Sequence, residues 1–421
     1  MYNVLIFPAG EMNSAELHAA LSQQVNVQLF GASSVERLGH HLFQHYRGGL
    51  PLINDPNFLI AFNDLISEWS IDLIIPTHDS VVQYLGEIRD LLHARVLVPE
   101  RETAELCRDK RLTYLKFEDQ AFTPKMYREQ EEINYPVFVK PAKGQGAVGA
   151  RVVKDRGHSI DWESEVVCEY LPGYELTIDC FTDRNGNLLG VFPRSRDRTL
   201  GGISIAGRAL DASDEVMTIA TCLNDRMRFL GMWYFQAKAD NSGRLRLLEV
   251  SARCAGSQCL TRARGVNLPL LSVYTALGRD VTVSSNKYTV KMERVLANRY
   301  DVGFDYDVVY LDFDDTVASA TEVNPDIMRL IYQFKNEKKS VRMITRHASS
   351  IFETLDRLCI ARNLFDEVIH IADGSSKADY INPVGAIFID NAFSERLAVL
   401  DKHGIPVLDV DTTEILQHWK R

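Results

Sequence analysis

The sequence has few features of a membrane or secreted protein. No apolar run reaches the roughly 20 residues that a membrane-spanning helix needs. The first eight residues contain neither the basic region nor the long apolar run of a signal peptide. The seven cysteines are scattered, and the nearest pair, Cys254 and Cys259, fits no common zinc spacing. These absences predict a cytoplasmic protein with reduced thiols and no membrane partner.

Positive charge is also scarce in any one place. The formal net charge is −10 and no lysine- or arginine-rich run occurs, so we expect no nucleic-acid partner. Hydrophobic residues at 46% and charged residues at 25% are ordinary values for a globular protein. At 421 residues the chain is too long for one ordinary domain, which predicts two or three.

Short apolar strands alternate with helical segments at the start of the chain. Strands are predicted at 4–7, 25–30 and 71–76, and helices at 56–69 and 81–92. A further helix is predicted at 103–118. Strands that alternate with helices indicate a parallel sheet.

A hairpin is predicted at 233–253, with a turn of Asp, Asn, Ser and Gly at 240–243. Because strand side chains alternate, Gln236 and Glu249 can face one cleft together, and Ser251 shares the face of Glu249. Arg253 follows just beyond. Oxygen ligands on two rigid strands suit Mg²⁺, which takes one or two carboxylates plus nucleotide phosphates. A half-buried hairpin with a polar face is the alternative interpretation.

Two further segments suit an anionic ligand. A loop between the strands predicted at 137–140 and 150–153 contains three glycines, whose backbone N–H groups can approach a phosphate closely. Its glycines are Gly144, Gly146 and Gly149. Later, Arg194, Arg196 and Arg198 lead into a Gly-Gly pair. A long hairpin loop and a solvated loop are the respective alternatives.

In this order, the segments resemble the ATP-grasp superfamily, particularly its carbamoyl-phosphate-synthetase-like branch, over residues 1 to about 290. The resemblance implies that two lysines contact the phosphates of ATP, that the glycine loop closes over them, and that a Glu-Tyr-Leu segment binds adenine. A later glutamate binds the ribose. The implied nucleotide-binding residues are Lys110, Lys140, Gly144, Gly146, Gly149, Glu169, Tyr170, Leu171 and Glu175.

The same resemblance implies that Gln236, Glu249 and Ser251 hold Mg²⁺ or Mn²⁺ and that Arg253 stabilises the phosphoryl group in transfer. Ser251-Ala252 replaces the Asn-Pro of the family, and the serine side chain extends less far toward the metal than asparagine does. Family members phosphorylate a carboxylate to an acyl phosphate, which an amine then attacks. The expected partners are therefore a small-molecule carboxylate and amine, such as an amino acid or sugar acid in peptide, cofactor or surface-polysaccharide biosynthesis. A homodimer is expected because the superfamily is often dimeric.

The last third, about 305–421, resembles the haloacid-dehalogenase (HAD) phosphatase family. Four motifs occur in its order, and they contain Asp312, Asp314, Thr345, Lys377 and Asp390. The resemblance implies that Asp312 attacks phosphorus, Asp314 is the general acid/base, Thr345 holds the phosphoryl group and Lys377 neutralises charge. Asp312, Asp390 and the backbone of Asp314 would hold Mg²⁺.

Two features of this segment qualify the resemblance. Asn391 stands where a second acid is common, and Glu395 is a candidate replacement. Because 28 residues separate Thr316 from Thr345, and 31 separate Thr345 from Lys377, we expect no cap domain.

We therefore predict an α/β multidomain protein. Its parts are a Rossmann-like pre-ATP-grasp domain at 1–105, an α+β ATP-grasp domain at 106–295 and a capless HAD-like Rossmannoid domain at 300–421. Three functions follow as hypotheses. The protein is a carbon–nitrogen ligase with an attached phosphatase-like domain, or a HAD phosphatase with a regulatory nucleotide-binding module, or a non-catalytic nucleotide-binding protein.

Overall fold

The computed structural model describes residues 1–35, 38–128, 133–144 and 146–420. Contacts divide the chain into a first unit, residues 1–296 with 419–421, and a second unit, residues 297–418. The predicted border at 105 falls inside the first unit, and the three-domain scheme stays a prediction. Within the described ranges, every helix is too short or too polar to cross a lipid bilayer.

The first unit begins with a parallel sheet of five strands, as the alternating pattern predicted. The strand order is β3-β2-β1-β4-β5. The strands are β1 (Tyr2–Phe7), β2 (Val27–Ala32), β3 (His45–Arg47), β4 (Leu73–Pro76) and β5 (Arg95–Val96). The helices are α1 (Met12–Leu21), α2 (Gly39–Leu42), α3 (Phe58–Glu68) and α4 (Asp79–Glu87). Strand β1 lies between two apolar clusters, so its side chains are buried on both faces.

The helix predicted at 103–118 is two helices, α5 (Arg101–Arg108) and α6 (Lys110–Lys116). Asp109 between them has extended backbone, and its carboxylate accepts the N–H groups of Arg111 at 2.9 Å and Leu112 at 3.4 Å. An aspartate in this position satisfies N–H groups that a new helix leaves open, so it starts α6 and ends α5. Lys110 is thereby the first residue of α6.

A small antiparallel sheet follows, with the strand order β6-β9-β7-β8. Its strands are β6 (Met126–Tyr127), β7 (Val137–Pro141), β8 (Arg151–Val153) and β9 (Glu165–Glu169). The glycine loop joins β7 to β8, as predicted. The alternating valines of β7 are buried with Tyr127 and Val167, so the sheet has one apolar face.

The central sheet of the first unit is antiparallel, with the order β11-β10-β14-β15. Its strands are β10 (Glu175–Thr182), β11 (Leu188–Ser195), β14 (Gly231–Ala239) and β15 (Leu245–Ser251). One face packs on α7 (Asp214–Arg226), and Trp233 stacks on Phe229 with 4.0 Å between ring centroids. The remaining elements are β12 (Arg198–Leu200), β13 (Ile203–Arg208), α8 (Cys259–Ala263), α9 (Leu268–Ala276) and β16 (Lys291–Glu293).

The second unit has a parallel sheet of five strands in the order β19-β18-β17-β20-β21. The strands are β17 (Val308–Leu311), β18 (Ser340–Thr345), β19 (Glu367–His370), β20 (Ala386–Ile389) and β21 (Val407–Leu408). The helices are α10 (Pro325–Asn336), α11 (Ile351–Arg357) and α12 (Phe393–His403). Carboxyl ends of parallel strands meet at one edge of a sheet, so the residues that follow β17, β18 and β20 are brought together.

Candidate functional site

One row of polar side chains crosses the central sheet of the first unit. Arg194 of β11 is in register with Thr177 of β10, and Thr177 is in register with Gln236 of β14. Gln236 is in turn paired with Glu249 of β15. Side chains directly opposite one another in a sheet point to the same face. The other face packs in the apolar core, so the row lies on the open face.

A cleft with a volume of about 210 Å³ is lined by all four residues of this row. Seven of the predicted residues line it: Lys110, Gly144, Gly146, Gln236, Glu249, Ser251 and Arg253. The hairpin, the glycine loop and the start of α6 come from distant parts of the sequence and converge here. The structure thus brings together the proposed metal ligands and part of the proposed phosphate contacts.

Lys110 connects the glycine loop to the metal-ligand hairpin. Its backbone N–H donates to Ala142 O at 3.0 Å, and its Nζ donates to Gly144 O at 2.9 Å. The same Nζ lies 3.8 Å from Glu249 Oε2. An ammonium group at this position offsets negative charge beside the loop, which is what bound phosphates require.

The glycine loop touches the turn between β12 and β13. A Cβ added to Gly202 would lie 2.6 Å from the carbonyl carbon of Gly146, and Gly202 has a φ of +77°. Gly146 itself has a φ of +64°. Both positions therefore favour glycine because of their backbone conformation, and Gly202 requires it also because a side chain there would collide with the Gly146 backbone. Gly149, with a φ of +77°, packs on Pro141 at the far end of the loop.

Lys140 lies beneath the cleft instead of lining it. Its side chain is buried, and Nζ donates to Tyr114 Oη at 2.6 Å and to Leu248 O at 2.8 Å. Burial lowers the pKa of Lys140, and the nearby charge of Lys110 adds to this effect. The bond to Leu248 supports β15 next to Glu249. The predicted phosphate contact of Lys140 stays a prediction.

The predicted adenine and ribose residues also lie outside the described lining of this cleft. Glu169 Oε1 accepts the Lys125 N–H at 2.9 Å, and the Glu169 N–H donates to Lys125 O at 2.9 Å. Glu175 forms an ion pair with Arg196 at 2.6 Å. Tyr170 is exposed and Leu171 is buried. The nucleotide roles of these residues stay predictions.

Asp79 is a residue of this site that sequence reasoning missed. Its carboxylate accepts hydrogen bonds from Ser251 Oγ at 2.7 Å and from Arg253 Nε and Nη2 at 2.9 Å and 2.8 Å. Burial alone would raise the pKa of Asp79, but the Arg253 guanidinium prevails and lowers it to about 2. Its position just after β4 was the available signal, because carboxyl ends of parallel strands commonly form sites.

The donor set fits a divalent cation. Gln236 and Glu249 supply an amide oxygen and a carboxylate on paired strands, which is the hard-oxygen set that Mg²⁺ takes. Ser251 donates its proton to Asp79, so its oxygen lone pairs remain for a cation or water. The carboxylate of Asp79 offsets the charge of Arg253, so this arginine does not repel a cation as a lone guanidinium would.

The second unit brings two of its predicted residues, Asp312 and Asp390, into contact with a third, Lys377. The Lys377 Nζ donates to Asp312 Oδ1 at 2.6 Å and to Asp390 Oδ2 at 2.7 Å, and all three side chains are buried. Burial raises the pKa of Asp312 to about 6, because it outweighs the opposing effect of Lys377, and Asp390 adds to the rise. Asp312 Oδ2 lies 3.4 Å from Thr316 Oγ1.

The other motif residues surround this cluster. Thr345 is buried at the end of β18, and its Oγ1 accepts the His347 N–H at 3.1 Å. The His347 Nδ1 lies 2.8 Å from Asp314 Oδ1, a contact that the sequence did not reveal. Glu395, the candidate replacement for a second acid, forms an ion pair with Arg346. In this pairing the Glu395 carboxylate contacts the exposed guanidinium of Arg346.

Comparison with known proteins supports the fold that the sequence predicted for the first unit. A family model described as "ATP-grasp in the biosynthetic pathway with Ter operon" matches residues 161–298. No curated protein sequence matches the chain. Several solved structures share its fold at low identity.

An L-amino acid ligase from Bacillus licheniformis is 18% identical with a TM-score of 0.53, over 66% of this chain and 74% of that one. The biotin carboxylase domain dimer of 2-oxoglutarate carboxylase from Hydrogenobacter thermophilus, in complex with MgADP and bicarbonate, is 14% identical with a TM-score of 0.55. This match covers 67% of this chain and 71% of that one.

N5-carboxyaminoimidazole ribonucleotide synthetase from Thermotoga maritima is 12% identical with a TM-score of 0.54, over 73% of this chain and 83% of that one. These matches confirm the ATP-grasp part of the predicted fold, whereas the HAD-like part stays a prediction. The family model thus resembles one segment of the first unit, and the solved structures share the mixed α/β fold of this chain over about two thirds of its length.

Proposed function

We propose that the first unit is an ATP-dependent ligase that joins a carboxylate to an amine through an acyl phosphate. The observation that supports this is the register of Gln236 against Glu249, with Lys110 and Gly144 at the same cleft. Together these groups offer oxygen ligands for a cation beside a backbone loop and an ammonium group suited to phosphates. An L-amino acid ligase is among the proteins whose solved structures share this fold, which supports the proposal.

In this mechanism a carboxylate oxygen of the acid attacks the γ-phosphorus of ATP, and the bond to the ADP oxygen breaks. The amine then attacks the acyl carbon, phosphate leaves, the nitrogen loses a proton to solvent, and an amide remains. Mg²⁺, when bound, neutralises phosphate charge during the transfer. Gln236 and Glu249 would hold it, Lys110 would offset charge at the loop, and Arg253 would stabilise the phosphoryl group in transfer.

The side chains around the reacting groups have supporting tasks. Asp79 holds Arg253 in one orientation through two hydrogen bonds, so the guanidinium is placed before substrates arrive. Lys140 supports the strand of Glu249 through Leu248 O. The glycine loop and the β12–β13 turn, in contact at Gly146 and Gly202, would exclude water from the transfer.

The test is ADP release measured with a panel of carboxylic acids, with hydroxylamine as the trapping nucleophile. An acyl phosphate reacts with hydroxylamine to give a hydroxamate and phosphate, so the acid is identified without knowledge of the natural amine. We expect ADP and hydroxamate in equal amounts. ADP release that no acid stimulates, or that yields no hydroxamate, would contradict the ligase proposal.

We further propose that the second unit is a HAD-like phosphatase. The supporting observation is the buried contact of Lys377 with both Asp312 and Asp390 at the edge of a parallel sheet. A carboxylate nucleophile splits phosphate ester hydrolysis into two easier steps, through an aspartyl phosphate on Asp312. Asp312 and Asp390 would hold Mg²⁺, and Asp314 would transfer the proton.

Hydrolysis of p-nitrophenyl phosphate tests this second proposal. The Asp312→Asn variant should lose hydrolysis, whereas Asp305→Asn, an exposed residue of the same unit, should retain it. If hydrolysis continues in Asp312→Asn, the nucleophile proposal is wrong. Acid-dependent ADP release should be unchanged in both variants, because the two chemistries use different residues. A homodimer and a cytoplasmic location stay predictions.

A further inference from the structure

Arg194 is a buried guanidinium of the cleft that the proposed mechanism does not use. Its side chain is 2% exposed, although the residue contributes to the lining of the cleft. Its Nη1 is paired with Asp179 Oδ2, and its Nε donates to Ser257 Oγ at 2.9 Å. Its Nη2 has no hydrogen-bond partner among the residues that the structure describes.

An unpaired buried N–H on a charged group is costly, because the group has lost water and gained nothing in exchange. Two other arginines that line the cleft also have a buried N–H without a hydrogen-bond partner among the described residues, Arg108 at Nη1 and Arg196 at Nε. The Nε of Arg196 is nevertheless in an ion pair with Glu175, and Arg253 is held by both oxygens of Asp79. Arg194 differs from all three because it stands in the row that leads to Gln236 and Glu249 and has a donor left there for a ligand.

The position of Arg194 relative to the metal ligands is defined by the sheet. Arg194, Thr177, Gln236 and Glu249 occupy successive strands in one register. Two strand spacings separate Arg194 from Gln236, which places their backbones roughly 10 Å apart. Asp179 belongs to the neighbouring row, opposite Tyr234, so its ion pair draws the guanidinium of Arg194 along the strand and away from Gln236.

Arg194 is therefore placed to bind a second group of the acid substrate, at some distance from the carboxylate that would react beside Gln236 and Glu249. We propose that the acid substrate carries a second anionic group, a carboxylate, that Arg194 Nη2 binds. This inference rests on the proposed ligase function and names its substrate class. The substrate is a short dicarboxylic acid that spans the row, with one carboxylate phosphorylated beside Gln236 and Glu249 and the other held at Arg194.

Two observations around the subsite agree with this class. Thr177 lies between the two ends of the row and offers a hydroxyl to the middle of the ligand. Ser257 Oγ accepts from Arg194 Nε at 2.9 Å, and Thr261 Oγ1 donates to Asp179 Oδ2 at 2.7 Å, so these two bonds hold the Arg194–Asp179 pair in one orientation. A guanidinium fixed in this way binds a carboxylate with little loss of side-chain freedom.

The experiment compares diacids with monoacids of the same chain length in the hydroxylamine assay. The pairs are succinate with butyrate, glutarate with valerate, and adipate with hexanoate. We expect a diacid to have the lower KM, and Arg194→Lys to raise that KM roughly 10- to 100-fold, the effect of one charge-assisted hydrogen bond. The KM of the matched monoacid and the KM of ATP should not change.

Arg194→Lys keeps a positive charge opposite Asp179 but removes the planar set of guanidinium donors. It therefore tests the contact with the ligand without leaving the buried Asp179 carboxylate unpaired. The double variant Asp179→Asn with Arg194→Gln removes both charges and should show the same loss. Arg156→Gln, at an exposed position of the first unit, is the matched control. Nucleotide binding to each variant, measured by calorimetry with a non-hydrolysable ATP analogue and Mg²⁺, reports that the site is folded.

The outcomes separate this inference from the proposed function. If acids stimulate ADP release but diacids have no advantage, or if Arg194→Lys leaves their KM unchanged, the second-carboxylate subsite is refuted and the ligase stands. If no acid stimulates ADP release although nucleotide binds, both are refuted. A diacid preference that Arg194→Lys abolishes, with monoacid turnover intact, establishes the subsite.

Discussion

Asp79 and Arg253 are 174 positions apart in the sequence and share two hydrogen bonds, at 2.9 Å and 2.8 Å. Asp79 begins the helix after β4, and Arg253 follows β15. The pair therefore joins the amino-terminal parallel sheet to the hairpin that carries the proposed metal ligands. Both side chains are largely buried, at 13% and 11% exposed, so the pairing matters for stability as well as for the site.

Replacement of Asp79 by asparagine should destabilise the first unit and lower ligase activity. The substitution leaves the Arg253 guanidinium buried without a counter-charge, which costs about 3 kcal/mol in the free energy of unfolding. Urea unfolding followed by fluorescence measures this cost. Asp64→Asn, an exposed aspartate on α3, is the matched control and should change the free energy by less than about 0.5 kcal/mol. Equal stabilities of the two variants would contradict a structural role for the pair.

The Asp79–Arg253 pair also predicts a pH dependence. Asp79 has a pKa of about 2 in the folded chain against an ordinary value of 3.8, since the guanidinium favours the ionised form although burial opposes it. A lowered pKa contributes stability that is present above pH 3.8 and lost as the pH falls toward 2, about 2 kcal/mol in all. The stability difference between wild type and Asp79→Asn should therefore shrink as the pH is lowered from 5 to 3. A difference that grows over this range would show the opposite linkage.

Glu249 should control the dependence of ADP release on magnesium. Glu249→Gln keeps the shape of the side chain and removes the carboxylate that faces Gln236, so the cation is held by neutral oxygens alone. We expect acid-dependent ADP release to fall roughly 10²- to 10³-fold and the Mg²⁺ concentration for half-maximal rate to rise. Magnesium titration of the initial rate measures both. Glu163→Gln, at an exposed position, should leave both unchanged. An unaltered magnesium requirement in Glu249→Gln would count against this residue as a ligand.

The contact between Gly202 and Gly146 predicts the effect of a single methyl group. In Gly202→Ala the new Cβ would meet the Gly146 backbone at 2.6 Å, so the glycine loop and the β12–β13 turn must separate. We expect the KM for ATP to rise roughly tenfold or more, as for other small misplacements of positioning groups. Gly243→Ala is a control with a similar backbone strain, because Gly243 has a φ of +82° and its Cβ would meet nothing within 4 Å. If the KM for ATP rises equally in both variants, backbone strain and not the loss of the loop contact causes the rise.

Local patterns in the sequence were enough to predict several parts of this molecule. Alternation along two strands predicted that Gln236 and Glu249 share a face, and the observed register places them opposite one another. Apolar strands between helices predicted the parallel sheet at the start of the chain. The prediction of a single helix at 103–118 overlooked Asp109. This aspartate caps the start of α6 and so divides it from α5. Each of these features depends on residues close together in the sequence.

Other features depended on contacts between distant segments. Lys140 stands in the expected motif, but Tyr114 and Leu248 draw its ammonium beneath the cleft. Arg194 stood among three arginines of equal promise, and only its ion pair with Asp179 and its place in the row across the sheet distinguish it. The sequence by itself determined which residues could serve as strand-borne ligands, because alternation and turn chemistry are local. The tertiary structure alone decided which charges are paired and which keep a free donor, because pairing of buried charges depends on distances between segments far apart in the chain.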